Sequence, residues 1–118
     1  PTYNARWQAL ATSGALTNAG VGLRFDVQHA QHTLPAFAVR YQGQVYAYVN
    51  QCAHVAMEMD WQPGQFFDGD ARYLMCATHA ALYEPDTGLC VAGPCHGKRL
   101  TPLPVKEEQG TIYASCTV

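Results

Sequence analysis

From Leu23 the chain alternates. Leu23, Phe25 and Val27 are apolar, while Arg24, Asp26 and Gln28 between them are polar. A period of two puts one side of the segment inward, as in a half-buried strand. Residues 36–41 and 44–49, rich in Val and Tyr, predict two more strands. Gln42-Gly43 between them reads as a two-residue hairpin turn in which glycine takes positive φ. Short strands are expected near 65–67 and 72–75, in a stretch punctuated by Gly64, Gly69, Asp68 and Asp70. Glu84-Pro85-Asp86-Thr87-Gly88 is a turn. Residues 100–105 and 111–114 close the pattern, joined by a polar turn over 106–110. Pro102 and Pro104 confine the first of these to an edge or an irregular strand. Residues 1–22 lack a strong period. A short helix over 6–16, interrupted by Ser13-Gly14 and the Gly20 and Gly22 pair, would give an irregular lead-in that packs Trp7 and Leu10 on the body. Many short strands separated by turns predict an all-β fold, an antiparallel β-sandwich or small barrel.

The chain has 118 residues, enough for one domain, expected over 23–118 after the lead-in. A hydrophobic fraction of 48% with only 14% charged residues belongs to a folded chain. The net charge is −2, and Lys98-Arg99 is the only adjacent basic pair. Such a surface has no field to hold a nucleic-acid backbone or an anionic membrane. No run of 18 apolar residues exists to span a bilayer. The first twenty residues show no secretory pattern, so the expected location is cytoplasmic. Five cysteines, at 52, 76, 90, 95 and 116, cannot all pair within the chain. Metal binding is therefore the stronger reading, and a disulfide scaffold the weaker.

Cys52-Ala53-His54 follows the hairpin, and Cys76-Ala77-Thr78-His79 follows a later strand. Each loop offers one thiolate and one imidazole. Two sulfurs and two nitrogens can complete a tetrahedral zinc shell. They can equally hold a two-iron, two-sulfide cluster, with the cysteines on one iron and the histidines on the other. No phosphate loop, dinucleotide fingerprint, paired carboxylates or convincing Ser-His-Asp set competes with them.

Cys-x-His, a spacer, then Cys-x-x-His resembles the Rieske-type [2Fe-2S] proteins, especially the small Rieske ferredoxins. Tyr83, the turn ending Asp86-Thr87-Gly88, and Gly93-Pro94 agree with the family, as do the closing strands through Thr111-Ile112-Tyr113. The resemblance runs from about residue 23 to 115. It implies a Rieske-like sandwich with a small cluster-binding subdomain over about 50–97. It implies one [2Fe-2S] cluster held by Cys52, His54, Cys76 and His79, with Ala81, Tyr83, Pro94, Cys95 and His96 around it. Ala80 and Val55-Ala56-Met57 stand where members usually have glycine, and an alanine adopts positive φ less readily. Cys95-His96 does not repeat the second motif, because Gly93 stands two positions before Cys95.

The resemblance also bears on potential. Two thiolates and two neutral imidazoles leave the oxidised cluster uncharged, which moves Rieske centres to about −150 to +300 mV, against about −400 mV for plant-type ferredoxins. High-potential members carry a disulfide between the ligand loops, and a serine and a tyrosine hydroxyl near the cluster. The matching positions here are Met57 and Thr78, Ala81, and Tyr83. Only the tyrosine is present, so a low, ferredoxin-like potential is expected.

The function implied is one-electron transfer from a flavoprotein reductase to a terminal oxygenase or other oxidoreductase, with no substrate conversion by this chain alone. The large oxygenases of the family need a further domain holding mononuclear iron. The alternatives are the small subunit of a larger redox enzyme, resembling that of nitrite reductase, and a zinc-stabilised binding module. Cys90 and Cys95 are read either as buried thiols or as an oxidation-sensitive pair. Met57, Met59 and Trp61 are read as filling of the cluster subdomain or as an apolar patch for a partner. Asp68, Asp70, Glu84 and Asp86 are read as a solvated face or as steering charges.

Overall fold

The computed structural model of the chain describes residues 7–53, 57–60, 62–77 and 80–118. Ten strands lie among them: β1 (Trp7–Thr12), β2 (Leu23–His29), β3 (His32–Tyr41), β4 (Gln44–Val49), β5 (Leu74–Met75), β6 (Leu82–Tyr83), β7 (Cys90–Ala92), β8 (Pro102–Leu103), β9 (Val105–Glu108) and β10 (Thr111–Ser115). A 3₁₀ turn, Ser13–Ala15, follows β1. The strands form three antiparallel sheets, ordered β1-β10-β9, β2-β3-β4-β8 and β5-β6-β7. The fold is all-β, as the alternation predicts. Among the described residues no helix is long and apolar enough to cross a membrane.

β3 carries the architecture. Ala36, Phe37, Ala38 and Val39 are all fully buried, so this strand is covered on both faces and reads as a continuous apolar run. Its alternate residues enter two different cores. Ala36 and Ala38, with Ala47 and Val49 of β4, pack with Val27, Leu103 and Ile112. Phe37 and Val39, with Tyr48 of β4, pack with Met59, Phe66, Leu74, Cys52 and Cys76. The first face is lined largely by alanines, and the sheet carrying β10 packs there. The second face carries aromatics, with Phe37 stacked on Phe66 at 4.0 Å between ring centroids, and it supports the loops that bear the cysteines.

The hairpin β3-β4 has the expected register, Tyr41 opposite Gln44. Both turn residues take positive φ, Gln42 at 52° and Gly43 at 85°, the type I′ geometry that matches strand twist. β8, with Pro102, lies at a sheet edge, where a missing N–H costs no ladder bond.

Residues 7–12 correct the expected helix. They form β1, paired with β10 from Trp7 opposite Ser115 to Thr12 opposite Thr111. A register shift between Ala9 and Ala11 breaks the alternation, and this bulge hid the strand. Leu10 packs against the alanine-lined core. Trp7 does not enter a core; its ring is exposed at the surface with Lys106 Nζ 4.6 Å from its centroid. The expected strand near 65–67 reduces to a single bridge, Phe67 to Leu74.

Candidate metal centre

The two cysteine-bearing loops converge. Cys52 follows β4 and Cys76 follows β5; both are buried in one core with Tyr83 and Met59. Ala77 N–H, next to Cys76, donates to Met59 C=O at 3.0 Å, which ties the second loop to the first. Within the first, Cys52 N–H donates to Met57 C=O at 2.8 Å. Within the second, Cys76 N–H donates to Ala81 C=O at 2.9 Å and Ala80 N–H to Cys76 C=O at 2.8 Å. That tight return requires a left-handed residue, and Ala80 adopts φ 55°. The alanine thus takes the conformation that a glycine would take more cheaply.

Tyr83 lies beside Cys52. Its Oη lies 3.1 Å from Cys52 Sγ and accepts the Ala53 N–H at 3.0 Å. Cys95 Sγ is a third partner at 3.1 Å. Burial, with the hydrogen bonds to Cys52 and Cys95, pushes the Tyr83 phenol well above its ordinary range, so it stays protonated as a donor. Gly93 begins the overlying turn at φ 99°, and a Cβ there would stand 2.9 Å from Ala81 Cα. Ala81 is fully buried beneath it, whereas Pro94 and His96 are exposed on the turn. Met59 fills the core, and Met57 is exposed. His54, His79, Thr78, Trp61 and the Val55-Ala56 pair lie outside the described residues.

Three positioning residues escaped the sequence reading. Asn50 is fully buried; its Oδ1 accepts Met59 N–H at 2.8 Å and its Nδ2 donates to Asp60 Oδ1 at 2.9 Å. Asp60 Oδ2 accepts Gly64 N–H at 2.9 Å. Arg24 reaches over from β2, with Nη1 3.5 Å from Asp60 Oδ2 and Nη2 on Glu58 Oε1. This network holds residues 57–60, the stretch on which the second loop docks. An Asn and an Asp ten residues apart carry no local pattern, so only the fold reveals them.

The donor chemistry fits half of a two-cysteine, two-histidine set: two thiols at the ends of adjoining loops, buried, with a phenol on one of them. Among curated proteins none matches significantly. Solved structures share the fold: a chain in the complex of reduced oxygenase and oxidized ferredoxin in carbazole 1,9a-dioxygenase has a TM-score of 0.73 at 18% identity, covering 97% of this chain and 96% of that one. The ferredoxin of carbazole 1,9a-dioxygenase from Nocardioides aromaticivorans IC177 has a TM-score of 0.71 at 22% identity, covering 94% and 98%. The model of the Rieske [2Fe-2S] domain matches residues 6–114. With nearly the whole length matched, and one [2Fe-2S] cluster implied by the match, this chain belongs to the Rieske [2Fe-2S] domain family.

Proposed function

We propose that the chain is a one-electron carrier whose cluster is held by the Cys52 and Cys76 thiolates and the His54 and His79 imidazoles. The observation that carries this reading is the docking of the Cys76 loop on the Cys52 loop through Ala77 N–H and Met59 C=O. When bound, the [2Fe-2S] centre supplies a reversible one-electron couple. The chain's own residues do the rest. Core packing on Phe37, Phe66 and Leu74 keeps the cysteine loops fixed, so little rearrangement accompanies electron uptake. With Cys52 ionised as a ligand, the Tyr83 phenol donates to its sulfur and stabilises added negative charge. Ala81, fully buried, offers no second hydroxyl, which supports a low potential for the family.

The donor proposed is a flavoprotein reductase and the acceptor a terminal oxygenase or other oxidoreductase, in the cytoplasm. The likeness to a chain of an oxygenase–ferredoxin complex over almost the full length supports this pairing. On this reading residues 50–97 act as the cluster subdomain, and the chain converts no substrate by itself. Reduction and air reoxidation of the purified protein test it. The expected result is reversible bleaching of a red-brown chromophore over repeated cycles, lost in Cys52→Ser and Cys76→Ser. A colourless protein binding zinc overturns it.

A further inference from the structure

Electron transfer leaves Cys90 and Cys95 without a role, yet both are fully buried in the same core as Cys52 and Tyr83. Cys90 opens β7 and Cys95 lies in the turn that returns from it. Three backbone bonds close that turn: Cys90 N–H to Lys98 C=O at 2.7 Å, Gly97 N–H to Cys90 C=O at 3.0 Å, and Lys98 N–H to Cys95 C=O at 2.8 Å. The chain therefore holds both cysteines in place without help from their sulfurs. The sulfurs nevertheless stand 2.6 Å apart, about half an ångström beyond a disulfide bond of roughly 2.05 Å.

The surrounding hydrogen bonds permit closure. The Cys95 proton faces Tyr83 Oη and Cys90 Sγ, and the Cys90 proton faces Ala92 C=O at 3.3 Å. Losing both protons strands no buried donor, and Tyr83 Oη keeps the Ala53 N–H. Cys116 is partly exposed near the C-terminus, outside this core.

We propose that Cys90 and Cys95 are a redox pair, which hydrogen peroxide closes to a disulfide across residues 90–95, weakening the Tyr83 hydrogen bond to Cys52. When the exposed turn over it opens, Cys95 attacks hydrogen peroxide; the O–O bond breaks, Cys95 becomes a sulfenic acid and water leaves. Cys90 then attacks the Cys95 sulfur, the S–O bond breaks and a second water leaves. Two thiols give up two electrons and two protons, and one hydrogen peroxide becomes two waters. With the Cys95 S–H gone, Tyr83 Oη accepts one donor fewer and its own O–H polarises less toward Cys52. The covalent step stands apart from the cluster reading; the effect on Cys52 rests on it.

The test uses the protein as purified, treated with stoichiometric hydrogen peroxide, denatured, alkylated and mapped by mass spectrometry. The expected product is a Cys90–Cys95 cross-link two hydrogens lighter, reversed by dithiothreitol, with a lower midpoint potential after closure. In Cys90→Ser, dimedone should trap a sulfenic acid at Cys95 and no cross-link should form. Alkylation of both cysteines after a treatment that oxidises Cys116 overturns the site. A cross-link with an unchanged midpoint overturns the coupling through Tyr83. Iron and sulfide assays on the same sample separate the two readings: a cross-link without a cluster contradicts the cofactor alone, and a cluster without a cross-link contradicts this site alone.

Discussion

Tyr83 gathers Cys52, Ala53 and Cys95 on one oxygen. Tyr83→Phe removes a donor from a ligand sulfur while keeping the ring. A hydrogen bond worth about 1 kcal/mol corresponds to roughly 40 mV for a one-electron couple. The midpoint of the variant should fall by about that much in a redox titration; an unchanged midpoint would separate Tyr83 from the cluster. Ala80 and Gly93, both at positive φ, make opposite predictions. Ala80→Gly relieves a left-handed alanine, offset by the entropy of the unfolded glycine, and should stabilise by about 0.5 kcal/mol. Gly93→Ala puts a Cβ against Ala81 and should cost about 2 kcal/mol. Urea unfolding of both variants checks the pair, and loss of stability in each would contradict the loop geometry. At this scale the cysteine pair was legible because its spacing is local, whereas Tyr83 and the turn glycine came from the family resemblance. Asn50, Asp60 and Arg24 were not, because their meeting depends on chain reversal.

Among the elements, β2, β3, β4 and β10 were legible because each is long enough for its pattern to repeat. β6 and β7 run two and three residues, too short for any period to register. β1 was masked by its bulge. Two side chains tie these elements together. Arg40 on β3 donates Nε to Leu16 C=O at 2.8 Å and Nη2 to Ser13 C=O at 3.0 Å, and both Nη atoms grip the Glu107 carboxylate on β9. Arg40→Lys keeps the charge and loses the fork, so it should cost about 2 kcal/mol in denaturant unfolding. A loss near zero would mean that a point charge suffices. Tyr48 on β4 is buried and donates to Pro85 C=O at 2.8 Å, fastening the Glu84–Gly88 turn. Burial pushes its phenol well above the ordinary 10.0. Below pH 10 both folded and unfolded chains hold this proton; above it only the folded chain does. Its stabilising share is therefore complete below pH 10 and declines at about 1.4 kcal/mol per pH unit above. Tyr48→Phe should show a shallower alkaline decline in stability than the wild type, and equal slopes would contradict the assignment.

The described residues form two cores on either face of one strand pair. The alanine-lined face closes the sandwich, and the aromatic face carries the cysteine loops. The Val and Tyr content of residues 36–41 forecast a strand but not its double burial, because a continuous apolar run does not say what covers each side. The fold class was legible from turn spacing, and the family from the ligand pattern with its trailing context. The cluster account rests on Cys52 and Cys76 sharing one two-iron centre with His54 and His79. An EPR-monitored redox titration, on protein assayed for metal and acid-labile sulfide, tests it most directly. The account predicts two irons and two sulfides per chain and a single one-electron midpoint between about −150 and +150 mV. Zinc without sulfide, or a midpoint above about +150 mV, would contradict it.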